Sequence, residues 1–289
     1  MIVNGGVAGW LGATRVRRSA TRLATLAIVI GVWALLAHFE VWDKRILPGP
    51  DDVWRRFTQS MTSTARPDVV APDGTVLLEG KPEIGLRDAY LYQHLWASLW
   101  RILNGLFWAI VVGVPLGLLL ATRPLFQLTV EPYVNFIRAL PPLGYFSLLL
   151  LWFGNRDTSK IWLLFLAALA PIALSVVSGA RGIPQDRIDG ARALGAGRLQ
   201  VLAFVVLPSA LPDLFVGIRL AIGFAWTTVV AAETTNGLPG IGGLAWSTKS
   251  TGQIDVAILA VIVIGLTAVA LDQAVKALDQ RVVPWRGRS

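Results

Sequence analysis

Residues 189–208 read Asp-Gly-Ala-Arg-Ala-Leu-Gly-Ala-Gly-Arg-Leu-Gln-Val-Leu-Ala-Phe-Val-Val-Leu-Pro. This stretch separates two apolar windows, at about 161–180 and 214–232, each long enough to cross a bilayer. Its pattern indicates a short helix, a glycine corner and a second helix that returns to the membrane. A loop of that shape between two spans predicts a knob that protrudes at one face of a membrane protein.

The helix boundaries of this loop are marked by proline, an acid and glycine. Pro184 suits the first helical position, and Asp186 lies in the first turn, where the helix dipole favours a negative charge. Gly195 fits the left-handed position that follows the end of a helix. We therefore expect one helix over about 184–195 and another from about 198 to Pro208.

The first of these helices also carries a narrow apolar stripe. Ile188, Ala191 and Leu194 recur at three-residue spacing and share one face. A stripe of this kind fits a docking surface for another protein, and it equally fits an amphipathic helix that lies on the lipid surface. Composition alone leaves both interpretations open.

The rest of the chain has the composition of a membrane protein. Of 289 residues, 54% are hydrophobic and 15% charged, and the mean hydropathy is +0.60, whereas soluble domains carry about 25% charged residues. Windows long and apolar enough to span a bilayer occur at 23–39, 102–121, 134–153, 161–180, 214–232 and 254–271. Because backbone inside a bilayer must satisfy its own hydrogen bonds, these windows predict helices. The predicted fold is all-α, a polytopic membrane protein with six transmembrane helices.

The first window could also be a signal peptide, since it follows a basic flank. Its apolar core of about 17 residues is longer than the usual signal-peptide core, and no A-x-A cleavage site follows it. We therefore expect an uncleaved helix, with 1–22 as an N-terminal segment and 23–289 as one transmembrane domain.

Lys and Arg are concentrated in segments that would share one side of the membrane. These segments contain Arg15, Arg17, Arg18, Arg22, Arg123, Arg181, Arg187, Arg192, Arg198, Lys276, Arg281, Arg286 and Arg288. The short loops opposite hold only Arg156, Lys160 and Lys249. The positive-inside rule therefore predicts that both termini and 181–200 are cytoplasmic. The net charge of +8 therefore mostly reflects membrane topology. The basic residues are spread over several short loops, which argues against nucleic-acid binding.

One long segment, 40–94, would then be external. Val53–Phe57 is typical of a short surface helix, and Pro72-Asp73-Gly74 between two runs of Val and Leu predicts a small hairpin. The hairpin could dock an external partner or be an insertion without a role, since loops tolerate insertions.

The sequence contains no pattern for covalent or metal chemistry. There is no cysteine, and the two histidines, His38 and His94, lie far apart without metal-ligand spacing. No phosphate-binding G-x-x-x-x-G-K-[ST] loop occurs. We expect no catalytic, cofactor or metal residues in this chain; if the protein uses ATP and magnesium, another chain binds them.

The 189–208 loop resembles the E-A-A-x3-G-x9-I-x-L-P signature of bacterial ABC importer permeases. Asp189 stands at the acidic position, Ala191 at the second alanine, Gly195 at the glycine, and Leu207-Pro208 at the end. Gly190 and Val205 are mild departures, at the first alanine and the isoleucine. The resemblance implies a type I permease fold in which 184–195 is the helix that couples to the ATPase. It assigns that coupling to Ile188, Asp189, Gly190, Ala191, Leu194, Gly195, Leu207 and Pro208.

The likeness extends over nearly the whole chain after residue 23. The stretches 92–99, 141–143, 152–154, 158–160 and 226–233 look like the nitrate/sulfonate/taurine branch, and the C-terminal Pro-Trp-x-Gly at 284–287 is most similar to taurine permeases. The stretch around 62–87 is longer than in that subgroup. The resemblance implies a bacterial inner-membrane subunit that works with a second copy of itself, two ATPase subunits, an external substrate-binding protein and membrane lipid.

Ionisable residues inside predicted spans are candidates for the transport pathway. Arg138 and Arg219 could attract an anionic cargo, or they could form structural ion pairs with Glu233 or Asp213, or reach to an interface. The structural interpretation is favoured for each arginine. Glu233, at the end of the fifth window, is a further candidate.

Several uncharged residues complete the candidate pathway. Pro141 and Pro142 interrupt the third window, and broken backbone at that depth should line a cavity or be buried in protein. Thr227 and Thr228 could line the path or bond to carbonyls of their own helix. The remaining candidates are the bulky side chains of Tyr145 and Trp226, which suit a gate or ordinary packing.

The function expected from these features is permeation of a small anionic or zwitterionic solute, with taurine or a related sulfonate as the first choice. Nitrate, bicarbonate, aromatic acids and pyrimidine precursors stay open. An ion-coupled secondary transporter would require inverted repeats and more intramembrane carboxylates. A membrane enzyme would require a nucleophile and base or a metal group.

Overall fold

The computed structural model describes residues 6–43, 46–64, 69–70, 76–78, 83–84, 89–235 and 239–285. Its helices are α1 (Gly6–His38), α2 (Pro50–Ser60), α3 (Leu91–Thr122), α4 (Pro124–Thr129), α5 (Glu131–Ala139), α6 (Pro142–Phe153), α7 (Asp157–Arg181), α8 (Gln185–Ala193), α9 (Arg198–Val201), α10 (Leu207–Glu233), α11 (Ile241–Thr251) and α12 (Ile254–Val282). A π-helical turn, Leu202–Val206, joins α9 to α10. The predicted all-α membrane architecture is confirmed.

Four segments of the described chain are long and apolar enough to cross a membrane: α3, α7, α12 and the continuous helical run Arg198–Glu233. The predicted windows at 102–121, 161–180, 214–232 and 254–271 lie inside them. The first window forms the apolar part of α1, Leu23–His38, which is shorter than these spans. Four of the six predicted windows therefore lie in helices that are long and apolar enough to span a membrane, and the number of six spans stays a prediction.

The third window, 134–153, is not one straight helix. It is divided between α5 and α6, and the helical arms Pro124–Ala139 and Pro142–Phe153 meet at 98°. Leu140 and Pro141 both precede a proline, and both have extended backbone, with ψ of 127° and 126°. Steric contact with the proline ring disfavours the helical region for the residue before it. Two such residues in succession therefore end one helix and redirect the next.

The segment between α1 and α3 contains one helix and short strands. The predicted surface helix begins at Pro50, three residues earlier than expected. The strands are β1 (Ser63–Thr64), β2 (Val69–Val70), β3 (Val76–Leu78) and β4 (Glu83–Ile84), and β2 pairs antiparallel with β3 while β1 pairs antiparallel with β4. The hairpin pairing is thus confirmed. Its turn at Pro72–Gly74 and the C-terminal residues Arg286, Gly287 and Arg288 lie outside the described residues.

The centre of the bundle is the packing of α7 between α3 and α10. On α3, Gly113 and Gly117 form a G-x-x-x-G pair that faces α7, and a Cβ atom at Gly117 would lie 2.5 Å from the Ala173 carbonyl oxygen. On the other side, a Cβ atom at Gly217 of α10 would lie 2.6 Å from Ser175. Small residues let helix backbones approach closely where no hydrophobic force drives helices together in lipid.

This packing gives the bundle two distinct ends. At one end α7 leads into α8, the helix of the predicted knob. At the other end the start of α3, the start of α7, the end of α10 and the start of α11 meet in side-chain hydrogen bonds. We call these the knob end and the far end of the bundle.

Candidate functional site

The predicted knob is present as α8, a glycine corner and α9. Pro184 is the residue before the first helical turn, with ψ of 133°, and not the first helical residue as expected. A proline adopts this extended cap geometry easily, because its φ is already fixed near the required value. Asp186 lies in the first turn, as predicted. The helix ends at Ala193, inside the predicted 184–195 segment.

Gly195 makes the corner in the left-handed conformation, with φ of +87°. Its N–H donates to the Arg192 carbonyl at 2.9 Å, and the Ala196 N–H donates to the Ala191 carbonyl at 3.0 Å. These two bonds are the Schellman pattern that closes a helix C-terminus. The predicted role of Gly195 in backbone geometry is confirmed.

The apolar stripe of α8 is divided between two environments. Ile188 and Ala191 are half-buried, whereas Leu194 is 91% exposed. Leu199 on α9 and Phe204 on the π-turn are each 79% exposed. The knob therefore presents large apolar side chains that contact little of this chain, and exposed apolar groups that protrude together are typical of a protein-binding surface.

The polar residues of α8 interact within the helix. Asp189 accepts a hydrogen bond from the Gln185 side chain at 3.2 Å and lies 3.5 Å from the Arg192 guanidinium. Gly190 faces open space on the knob, because a Cβ atom at this position would meet nothing within 4 Å.

The knob continues directly into a membrane span. The Leu207 N–H donates to the Leu202 carbonyl across the π-turn, and Pro208 and Pro212 follow within the first turns of α10. π-turns and prolines are the usual causes of helix bending. Leu207 and Pro208 thus do not end a helix, as the pattern suggested; they lie within a continuous helical run of 36 residues, where the π-turn leads into α10.

Arg219 has a partner that the sequence did not predict. Its guanidinium donates to both carboxylate oxygens of Asp272 on α12, at 2.6 and 3.0 Å. The expected partners, Glu233 and Asp213, were wrong. An ion pair is present, as the structural interpretation expected, and a pathway role for Arg219 stays a prediction.

Glu233 lies in a buried group of charges at the far end. Its side chain is 0% exposed, and its carboxylate accepts from Arg101 at 2.5 Å and from Ser98 at 2.8 Å. Arg101, which is 4% exposed, also donates to Asp157 at 2.7 Å. The buried Lys160 is close enough to interact with all three charges. Two cations thus balance two carboxylates; burial demands a partner for Glu233, whereas the Asp157 side chain is 52% exposed.

Sequence analysis missed Arg101, Asp157 and Ser98 as parts of this group. The available signal was the polar series His94, Ser98 and Arg101, which recurs at the i, i+4, i+7 positions of one face at the start of a predicted span. All three are buried. Polar residues on a buried helical face indicate partners on neighbouring helices.

The other pathway candidates have mixed surroundings. Arg138 is exposed at the end of α5, and Pro141 and Pro142 form the bend. Thr227 donates to the Gly223 carbonyl at 3.1 Å, whereas Thr228 is buried. Two buried polar atoms, Tyr145 Oη and Trp226 Nε1, have no hydrogen-bond partner among the described residues. A pathway role for these residues stays a prediction.

Known proteins resemble this chain along most of its length. The taurine transport system permease protein TauC of Escherichia coli (strain K12) is 35% identical over 271 residues, covering 94% of this chain and 91% of the relative. The nitrate import permease protein NrtB of Leptolyngbya laminosa is 29% identical, covering 96% and 92%. A bicarbonate transport system permease protein of Synechocystis sp. (strain ATCC 27184 / PCC 6803 / Kazusa) is 32% identical, covering 73% and 75%.

Solved structures show the same fold. An inward-facing form of the MetNI methionine ABC transporter contains a chain that is 25% identical, with a TM-score of 0.58, and the match covers 66% of this chain and 95% of that chain. The model of one family, described as binding-protein-dependent transport system inner membrane component, matches residues 113–284. This match includes α7, the knob and α10, so the chain belongs to that family of importer permeases.

Proposed function

We propose that this membrane-embedded ABC importer permease carries taurine or a related alkanesulfonate. The observation that carries the proposal is the 35% identity to the taurine permease over 94% of the chain. Nitrate and bicarbonate are the alternative cargoes, because permeases named for those anions are 29–32% identical to this chain. Aromatic acids and pyrimidine precursors stay open as further alternatives.

The proposed orientation places the knob and both termini in the cytoplasm of a bacterial inner membrane. Arginines are frequent in α8 and in the turns on either side of it, whereas at the far end Arg156 precedes α7 and Lys160 lies in its first turn. The far end, with α2, the paired strands and α11, then faces the substrate-binding protein. In this orientation the exposed Leu194 points towards the compartment that holds ATP.

The proposed assembly contains two copies of this chain and two ATPase subunits. One knob would dock on each ATPase, and ATP with magnesium would bind only to the ATPases, because this sequence has no phosphate-binding loop. The permease itself performs no covalent chemistry. Closure of the ATPase pair would displace the knobs and switch the pathway between inward and outward access.

The cargo is tested by uptake into proteoliposomes that contain the permease, its ATPase and its binding protein. We expect ATP-dependent uptake of radiolabelled taurine that excess unlabelled alkanesulfonate suppresses and excess nitrate or bicarbonate does not. ATP-dependent nitrate or bicarbonate uptake with no taurine uptake would replace the sulfonate with that anion and leave the transporter class intact.

A further inference from the structure

Helix α11 lies at the far end and is too short to cross a bilayer. Its 11 residues extend about 16 Å, against about 30 Å of hydrocarbon. Gly252, with φ of +68°, ends the helix, and α12 begins two residues later. Ile241 and Leu244 are buried in the same core as Val229. Thus α11 is packed onto the bundle as a cover over the end of α10.

The first turn of α11 is held by three different side chains. The N–H of Gly240 donates to His94 Nδ1 at 3.1 Å, and the N–H of Ile241 donates to Ser98 Oγ at 2.9 Å. The N–H of Gly242 donates to Glu233 Oε2 at 2.9 Å. N-terminal N–H groups of a helix have no partners within it, so α3 and α10 supply them here.

The contact between α11 and α10 is made by backbone. A Cβ atom at Gly242 would lie 2.6 Å from Val230 Cα and 2.8 Å from the Val230 carbonyl oxygen. With no side chain between them, the backbones of these two segments lie in direct contact. Glu233, the last residue of α10, accepts a hydrogen bond from the same turn. The two contacts hold the first turn of α11 against the end of α10.

We infer that Glu233 and Ser98 are positioning residues that make α11 move with α10, so that displacement of the knob opens or closes α11 at the external face. The inference rests on the proposed function, because the knob must be driven by an ATPase. One helical run, Arg198–Glu233, connects the knob to the charged group. Its 36 residues are about 54 Å long, which is enough to carry a motion through the membrane.

The absence of cysteine from the sequence allows single spin labels to test this inference. Trp246→Cys places a label on α11, where the side chain is 54% exposed, and Leu220→Cys places one on α10, where it is 55% exposed. In the assembly with two permease copies, each label gives one distance between copies. We expect ATP trapping to shift both distances in the otherwise unmodified protein.

Glu233→Gln keeps the shape of the side chain but removes its charge. We expect this variant to retain the ATP-dependent shift on α10 and to lose it on α11. The matched control is Asp255→Asn, which breaks the 2.7 Å ion pair between α2 and α12 at the same end without touching α10. The control should retain both shifts.

Two results would overturn the inference: no ATP-dependent shift of α11 in the parent protein, or an unchanged α11 shift in Glu233→Gln. Where Glu233→Gln does not assemble, Ser98→Ala gives the same measurement, since it removes the hydroxyl that bridges Ile241 and Glu233. Failure of both variants to assemble would assign the group to stability alone and refute the inference. Failure of the proposed function would give a different result, because no ATPase would then bind to the permease and no ATP would be hydrolysed.

Discussion

At the scale of single residues, a few positions have surroundings that only one type of side chain suits. Gly195 needs a left-handed backbone, and Arg101 is enclosed between two carboxylates. Leu194 is the opposite case, a large apolar side chain with almost no contact in its own chain. Substitutions at these three positions therefore test three properties separately: the backbone conformation of the knob, the ion pairs of the far end and the docking of the ATPase.

Replacing Gly195 with valine should weaken the knob without unfolding the bundle. A left-handed conformation costs an L-residue about 1–2 kcal/mol, and a β-branched side chain is the least suited to it. We expect normal membrane abundance, less ATPase in co-purification and slower uptake. Gly195→Asn, which tolerates the left-handed region, should fall between valine and the parent. Equal co-purification for all three proteins would show that the corner does not shape the docking surface.

Replacing Arg101 with methionine should destabilise the whole bundle. The change leaves Glu233 and Asp157 without their guanidinium partner, and removal of one member of a buried pair costs about 3–5 kcal/mol. We expect a marked drop in thermal stability in detergent. Arg55→Met is the control, because the Arg55–Asp52 pair is largely exposed and such pairs contribute about 0–1 kcal/mol. Similar melting temperatures for both variants would contradict the assignment.

At the scale of helices, proline and glycine decide where the elements bend and how closely they pack. Leu140 and Pro141 take extended backbone and divide the third window, whereas Pro115, Pro171 and Pro212 remain inside helices. The difference is the consecutive pair of prolines: a single proline removes one backbone hydrogen bond, and transmembrane helices tolerate that loss.

Replacing Gly117 with leucine should separate α3 from α7. The new side chain would occupy the position of the Ala173 carbonyl oxygen and Val176, and overpacking costs about 1–3 kcal/mol or more. We expect lower membrane abundance and a lower melting temperature in detergent. Gly265→Leu on α12 is the matched control, because a Cβ atom there meets nothing within 4 Å. If Gly117→Leu were as stable as the control, the close approach of α3 and α7 would be refuted.

At the scale of the whole molecule, a single copy of this chain exposes apolar surface that lipid and protein partners would cover. Apolar side chains of α3, of α12 and of the Leu23–His38 part of α1 are exposed, as expected where lipid or a second copy is the neighbour. The knob is exposed in a different way, since its apolar residues lie on a polar loop between spans.

The complete assembly should contain two permease chains and two ATPase subunits. We expect this composition from mass measurement of the complex co-purified in detergent. Leu194→Asp should remove the ATPases and leave the permease dimer, because a side chain that is 91% exposed adds little to the fold of its own chain. Leu194→Met, which keeps the apolar surface, should retain them. A stable permease monomer that transports without any ATPase would contradict this composition.

The local features of the chain could be predicted well. The four long spans coincide with apolar windows, and the φ of Gly195 follows from a glycine at the end of a helical pattern. The strand pairing of Val69–Val70 with Val76–Leu78 follows from the residues between them. The position of Pro184 was missed by one residue, whereas the interruption of the third window at Pro141 and Pro142 was predicted and is present.

The sequence by itself determined the membrane class, the helical spans and the shape of the knob, because these depend on hydrophobicity and backbone preferences over a few neighbouring residues. The family follows from the same local pattern, supported by the relatives. Only the tertiary structure decided which charges meet: Arg101 with Glu233, 132 positions away, and Arg219 with Asp272, 53 positions away. A buried charge must find a partner, but which partner it finds depends on which helices pack together, and no local pattern records that.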